Sequence, residues 1–313
     1  MKALTCLVPL LTGCASVPPT GDVVPVVDYH QHLVSPAFQP IVKLPERDGS
    51  ALLEELDAAG ISKAVVHSVG YSLADERKEL ADPDRLTREE NDWTSREVVR
   101  HAPRLVGFCS SNPLRPDALA ELERCLALPG MKGIKLHFGN SGVTLRDPLH
   151  LTTMQRVFAL AQRQHAPVLV HMRARGGINF GAEDARILLD RLAPYASRCE
   201  IVVAHLGSAG PGYPEQADAV MAVFGEAATA GHPSMRRLYF DVATTVTADF
   251  TPAAGGLVAK RLRQIGLKRV LYGSDLTPPG GSIRAGWEIF QSKVPLTNAE
   301  LRAIASNRTS FVR

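Results

Sequence analysis

The 313-residue sequence contains no basic run, no CxxC pair, no GxGxxG cluster and, beyond its first residues, no long apolar run. Each absence excludes a class of protein. A membrane-spanning helix needs about 20 consecutive apolar residues, so nothing after the opening segment is read as one. A formal net charge of +3 and a pI near 8.6, without clustered basic or interleaved aromatic residues, give no reason to expect nucleic acid. The expected partner is a small molecule. A glycine cluster after the first strand would mark a dinucleotide-binding open sheet, and its absence weighs against that fold. Aromatic residues are few, at 6%, yet 45% hydrophobic and 21% charged residues are ordinary globular composition at a length that supports a sizeable core.

What is present begins with "MKALTCLVPLLTGCAS", which has Lys2, a short apolar run and an abrupt small-residue end, the layout of a signal peptide. The alternative is a buried N-terminal strand. The tetrad Leu11-Thr12-Gly13-Cys14 resembles the lipobox of bacterial lipoproteins. That resemblance implies cleavage after residue 13 and lipidation of Cys14. It also implies a cell-envelope location on the periplasmic side of a bacterial membrane, with the lipid anchor as the only membrane contact. Residues 14–25, rich in Pro, Gly, Ser and Thr, read as a tether, and residues 26–313 as one domain. Of the five cysteines, Cys109, Cys125 and Cys199 remain in that domain without ligand spacing. Their default reading is buried free thiols, with any pairing unassigned.

After the tether, short β-rich runs alternate with amphipathic helical runs. "VVPVVDYHQH" precedes "GSALLEELDAAG", whose Leu52, Leu53 and Leu56 share a helical face and whose Gly60 suits a C-cap. "KAVVHSVG", "LVGFCSSNP", "MKGIKLHF", "PVLVHM", "EIVVAHLG", "RLYFDVATT" and "RVLYGSD" continue the series, each followed by a helical segment. About eight nearly continuous apolar strands alternating with helices predict a parallel sheet covered on both faces. Eight such units in a chain of this length predict a TIM (β/α)8 barrel.

In a barrel, catalytic groups sit where strands end at the C-terminal face. His30 and His32 end the first strand, Lys135 and His137 the fourth, His171 the fifth, His205 the sixth and Asp275 the eighth. Any one of these histidines alone is more often structural. Five strands closing this way bring imidazoles and a carboxylate together, a donor set that suits zinc, with nickel, manganese or iron also compatible.

The order HxH, Lys, His, His, Asp resembles the amidohydrolase superfamily. "DYHQHL", "GIKLHFGN", "PVLVHM", "VVAHLGS", "LYGSDLTPP" and "LRAIASNRTSF" are similar to the amidohydrolase-related family that includes aminocarboxymuconate-semialdehyde decarboxylase. The resemblance implies a mononuclear site held by His30, His32, His171 and Asp275. Asp275 would accept a proton from the activated water, and His205 would orient that water or stabilise an oxyanion. Lys135 is a substrate contact in that reading. With two ions, a carboxylated Lys135 would instead bridge them, and one Zn2+ is preferred. His137 either helps line the site or sits in a surface loop.

Arg173 and Arg175, after His171, suit recognition of a carboxylate substrate. The glycines of the same loop and of "LTPPGGS" suggest mobile loops, and the charged stretch from Leu73 to Arg88 either covers the mouth or is a solvated loop. The leading expectation is a metal-dependent hydrolase using a metal-activated water on a small carboxylate-bearing amide, lactone or ester. The alternatives are non-oxidative decarboxylation of a small unsaturated or aromatic acid, and a non-catalytic metal- or ligand-binding lipoprotein. A homodimer is compatible with the sequence.

Overall fold

The computed structural model describes residues 23–173, 180–275 and 281–313. Eight strands occur where the apolar runs place them. They are β1 (Val27–Gln31), β2 (Lys63–His67), β3 (Leu105–Ser110), β4 (Met131–His137), β5 (Val168–His171), β6 (Ile201–Val203), β7 (Leu238–Asp241) and β8 (Val270–Leu271). Sequence neighbours are sheet neighbours, and every pair is parallel. Tyr29 N donates to Tyr272 O (2.9 Å) and Asp275 N to His30 O (2.8 Å), which joins the last strand to the first. The fold is the expected (β/α)8 barrel.

Each strand leads into a helix with the same number. These are α1 (Gly49–Ala59), α2 (Pro83–Arg100), α3 (Ala118–Leu126), α4 (Pro148–Gln164), α5 (Ala182–Ile187), α6 (Glu215–Thr229), α7 (Pro252–Ile265) and α8 (Ile283–Lys293); α9 (Asn298–Ala305) closes the chain. In α1, Asp48 caps the first turn by accepting from Ala51 N, and Gly60 ends the helix at φ 73°. Leu52 and Leu56, one turn apart, are fully buried against the strands, while Leu53 is only half-buried. Burying each such leucine contributes about 2 kcal/mol.

The strands alternate. Tyr29, Val65, Phe108, Leu169, Val202 and Leu271 fill the barrel interior, and the other face of each strand packs against the helices. The C-terminal residues close the floor. Phe311 packs edge-on against Tyr29 and Phe108, Thr309 N donates to Tyr29 Oη (2.9 Å), and Lys63 Nζ donates to Val312 O (2.7 Å).

The cysteine expectation needs correcting. Cys109 faces outward from β3 onto the buried side of α3, where Cys125 lies with its Cα 5.9 Å away, and the two form a disulfide. Cys199 is the buried free thiol. Cys14 and most of the tether lie outside the described residues. Its last residues dock: Trp287 Nε1 donates to Val23 O (2.6 Å). No described helix is long and apolar enough to cross a membrane.

Candidate metal centre

The site forms where strands end at the C-terminal face of the barrel. Strict alternation from Val27 and Tyr29, which point inward, would send His30 outward. A register shift between Asp28 and Gln31 turns the strand end instead. Asp28, fully buried, supports that turn by accepting from His30 N (3.1 Å), Gln31 Nε2 (2.8 Å) and Ser274 N (3.0 Å). Arg47 lies under the next residue, donating to Gln31 Oε1 and His32 O and pairing with Glu55. On the far side, His205 adopts φ 54° and Asp275 φ 47°, left-handed backbone that costs an L-residue about 1–2 kcal/mol. Such strain persists where the surroundings hold it in place.

Three imidazoles converge on one carboxylate. His32 Nε2 and His30 Nε2 lie 3.6 and 3.9 Å from Asp275 Oδ1, and His205 Nε2 lies 3.8 Å from Oδ2. The opposite nitrogen of each ring faces a fixed acceptor. His30 Nδ1 meets Asp241 Oδ2 (2.9 Å), His32 Nδ1 meets His67 O (2.9 Å) and His205 Nδ1 meets Ala243 O (2.8 Å). A carbonyl or carboxylate oxygen only accepts, so the proton sits on Nδ1 and each Nε2 lone pair points at the centre. Burial holds the rings neutral: His32 is pushed down to about 3, His30 falls well below its usual range, and His205 is lowered as well. Ligand atoms of His30, His205 and Asp275 all lie within 4.8 Å of one another. Neutral imidazoles with committed Nδ1 protons beside a carboxylate fit a divalent cation.

The other expected residues surround this centre. Lys135 is buried, and its Nζ lies 2.8 Å from His30 Nε2. Burial lowers its ammonium to about 8 against the opposing pull of Asp275 and Asp241. Burial also lifts Asp275 to about 6, with Lys135 and Arg47 opposing. His171 stands edge-to-face with His205, ring centroids 5.0 Å apart, and stacks on His137 at 3.8 Å; of the four expected ligands, His171 and His32 lie outside the tight cluster, which takes in His205 instead. Tyr71 stacks on the other side of His137. His137 is therefore part of the site and not a surface residue. Arg173 adds positive charge beside His171. Arg175 lies outside the described residues, as do most of the two glycine-rich loops.

The cleft above the centre has a volume of about 230 Å³. One wall is polar, carrying the histidines, Lys135 and Asp275. The other is apolar, built from Leu33, Val34, Phe38, Val42, Leu44 and Val69. The charged stretch 73–88 backs this apolar wall: Leu73, Leu80 and Leu86 pack against it, and Lys78 lies over the Phe38 ring.

Two residues went unassigned from sequence although the same rule applied to them. His67 ends β2 and Asp241 ends β7, each closing an apolar run. Asp241 also accepts from His205 N (2.8 Å), so one carboxylate orients two of the three imidazoles. Asp28 and Arg47 had no such signal, since their partners are set by the bulge.

The amidohydrolase family model matches residues 27–307. The chain belongs to the amidohydrolase family. It is an enzyme of the hydrolase or decarboxylase type. Among solved structures, this amidohydrolase is similar to a 2,6-dihydroxybenzoate decarboxylase complexed with 2,6-dihydroxybenzoate (TM-score 0.61, 17% identity, covering 90% of this chain and 96% of that one). A 5-carboxyvanillate decarboxylase from Sphingomonas paucimobilis gives 0.58 at 17% identity, with the same coverage. A probable 2-pyrone-4,6-dicarboxylic acid hydrolase from Acinetobacter baumannii, with citric acid bound, gives 0.58 at 16%, again over 90% and 96%. At these identities the likeness carries the fold alone. Comparison with curated protein sequences finds no match.

Proposed function

We propose that this amidohydrolase hydrolyses an amide, lactone or ester bond of a small, carboxylate-bearing substrate. The observation that carries the reading is the convergence of three Nε2 lone pairs on Asp275, whose acid form is lifted to about 6. A carboxylate tuned there is ionised near neutral pH and still basic enough to take a proton. The proposed ligands of one divalent ion, zinc by donor type, are His30, His32, His171 and Asp275. Bound there, the ion would supply Lewis-acid polarisation of a substrate oxygen and lower the pKa of water.

The chain's own residues divide the remaining work. Asp275 accepts the proton of the attacking water, and His205 orients the reacting groups from the opposite side of that carboxylate. Asp241 keeps His30 and His205 in place. Lys135, with Arg173 beside His171, provides cationic charge for the substrate carboxylate, and the wall of Val34, Phe38 and Leu44 receives its apolar body. A second reading, decarboxylation of an unsaturated or aromatic acid, draws support from that apolar wall beside the stacked Tyr71, His137 and His171, which suit a planar ring. Incubating the zinc-loaded enzyme with panels of carboxylates, esters and lactones in ¹⁸O-water separates the two. Label in the product supports hydrolysis, and carbon dioxide release without label overturns it.

We also propose export and lipid attachment at Cys14. The Cys109–Cys125 disulfide supports export, since such bonds persist in oxidising compartments, and the Leu11-Thr12-Gly13-Cys14 tetrad supports the lipid site.

A further inference from the structure

The opposite end of the barrel carries a different pattern. There, helices hand over to strands through residues 60–64, 101–106, 127–132, 165–169, 197–202, 230–239 and 266–271, and the C-terminal residues 306–313 lie across the floor. These spans hold ten Lys and Arg and a single acidic residue, Glu200. Glu200 is buried and is taken up by Ser310, whose N and Oγ both donate to it. Lys132, Arg198, Arg236, Arg237, Lys268 and Arg308 are exposed, with no ion-pair partner among the described residues. The connections at the active-site end mix signs, as in Glu76, Arg77, Lys78 and Glu79. The asymmetry therefore belongs to one end of the barrel and not to the chain as a whole.

Three further features sit at this end. Arg236 and Arg237, with Ser197 and Ser234, line a cavity of about 440 Å³ whose other walls are apolar, including Pro194, Ile201 and Pro233. Of the three large apolar or aromatic side chains exposed among the described residues, two are here: Tyr195 (46%) beside that cavity and Val99 (48%) at the end of α2. The described chain also begins at the rim of this face. Val24 lies beside Gly60 at the end of α1, and Ser62 Oγ donates to Val26 O.

We propose that this basic end of the barrel docks on an anionic phospholipid surface. Clustered cations with an interfacial tyrosine and a shallow apolar cleft match phosphate headgroups above an acyl boundary. The eight residues between Cys14 and Val23 span at most about 30 Å, so a lipid at Cys14 would hold this end, and not the active site, against the membrane. The docking surface acts with or without that lipid, because its cations attract phosphate headgroups on their own. The catalytic cleft then opens away from the bilayer. None of this depends on the reaction assigned above.

The test uses the mature chain from residue 14, carrying Cys14→Ser, so that neither an acyl chain nor the apolar signal segment contributes. It is floated with vesicles of phosphatidylglycerol mixed with phosphatidylcholine, and with vesicles of phosphatidylcholine alone. Binding to the anionic vesicles, weakened by salt, is expected. Each cation near such a surface strengthens binding by about fivefold. Arg198→Glu with Arg236→Glu should therefore weaken it more than about tenfold, while Lys43→Glu with Arg85→Glu at the other end leaves it unchanged. Lys132→Glu with Arg308→Glu repeats the measurement if the first pair lowers the melting temperature. Equal binding to neutral vesicles, insensitivity to both charge reversals on this end, or equally strong capture of duplex DNA would each overturn the proposal.

Discussion

His30 Nδ1 and Asp241 Oδ2 lie 2.9 Å apart, fully buried, and join the end of β1 to the end of β7. The carboxylate fixes which ring nitrogen carries the proton. Asp241→Asn keeps the shape and the Oδ1 contacts to His205 N and Ala243 N. It can also present an N–H donor to His30, which would move the ring proton to Nε2 and block the lone pair facing Asp275. Metal affinity is expected to fall by about 10–100-fold with the melting temperature of the metal-free protein little changed. Competitive titration against a chelator measures the first and calorimetry the second.

His171 and His205 are separable by experiment. His171→Ala should remove bound metal. His205→Ala should retain it and lose about 100-fold or more in turnover. Elemental analysis of the two variants decides, and metal lost from His205→Ala but kept in His171→Ala would exchange their roles.

Gly273 follows β8 directly beneath the site. A Cβ there would lie 2.7 Å from His30 Cβ and 3.2 Å from that of Ala243. Gly273→Ala therefore displaces His30. The expected result is a folded protein, destabilised by about 1–3 kcal/mol, with weakened metal binding. Full metal content at wild-type affinity would show that the strand end gives way elsewhere.

Glu90 on α2 is buried, accepting from Ser35 Oγ, and burial lifts it to about 7. Its ordinary value is 4.5, so between these pH values the unfolded chain loses the proton that the folded chain keeps. Stability attributable to this group falls as pH rises from about 4.5 to about 7 and stays reduced above that. Glu90→Gln removes the penalty. The variant should match the parent at pH 4 and exceed it by up to about 3 kcal/mol at pH 8. Denaturant melts at the two pH values measure the difference, and a constant offset would refute it.

The barrel was legible because buried parallel strands are almost uninterrupted apolar runs, and even the two-residue β8 is announced by "RVLYGSD". Lys135, His171 and Asp275 were legible as polar ends of such runs. His67 and Asp241 close apolar runs in the same way, but neither falls in the HxH, Lys, His, His, Asp order that marks the others. Asp28 and Arg47 depend on the bulge in β1, a backbone irregularity with no residue signature here. Pairing Cys109 with Cys125 required knowing that α3 lays its buried face on β3, a packing relationship that neither spacing nor composition encodes.

Phe311 and Val312 pack beneath Tyr29, the residue next to His30. Residues far apart in the sequence thus share the base of the barrel directly under the first of the site histidines. The scaffold of the metal centre closes only when these two distant stretches have met.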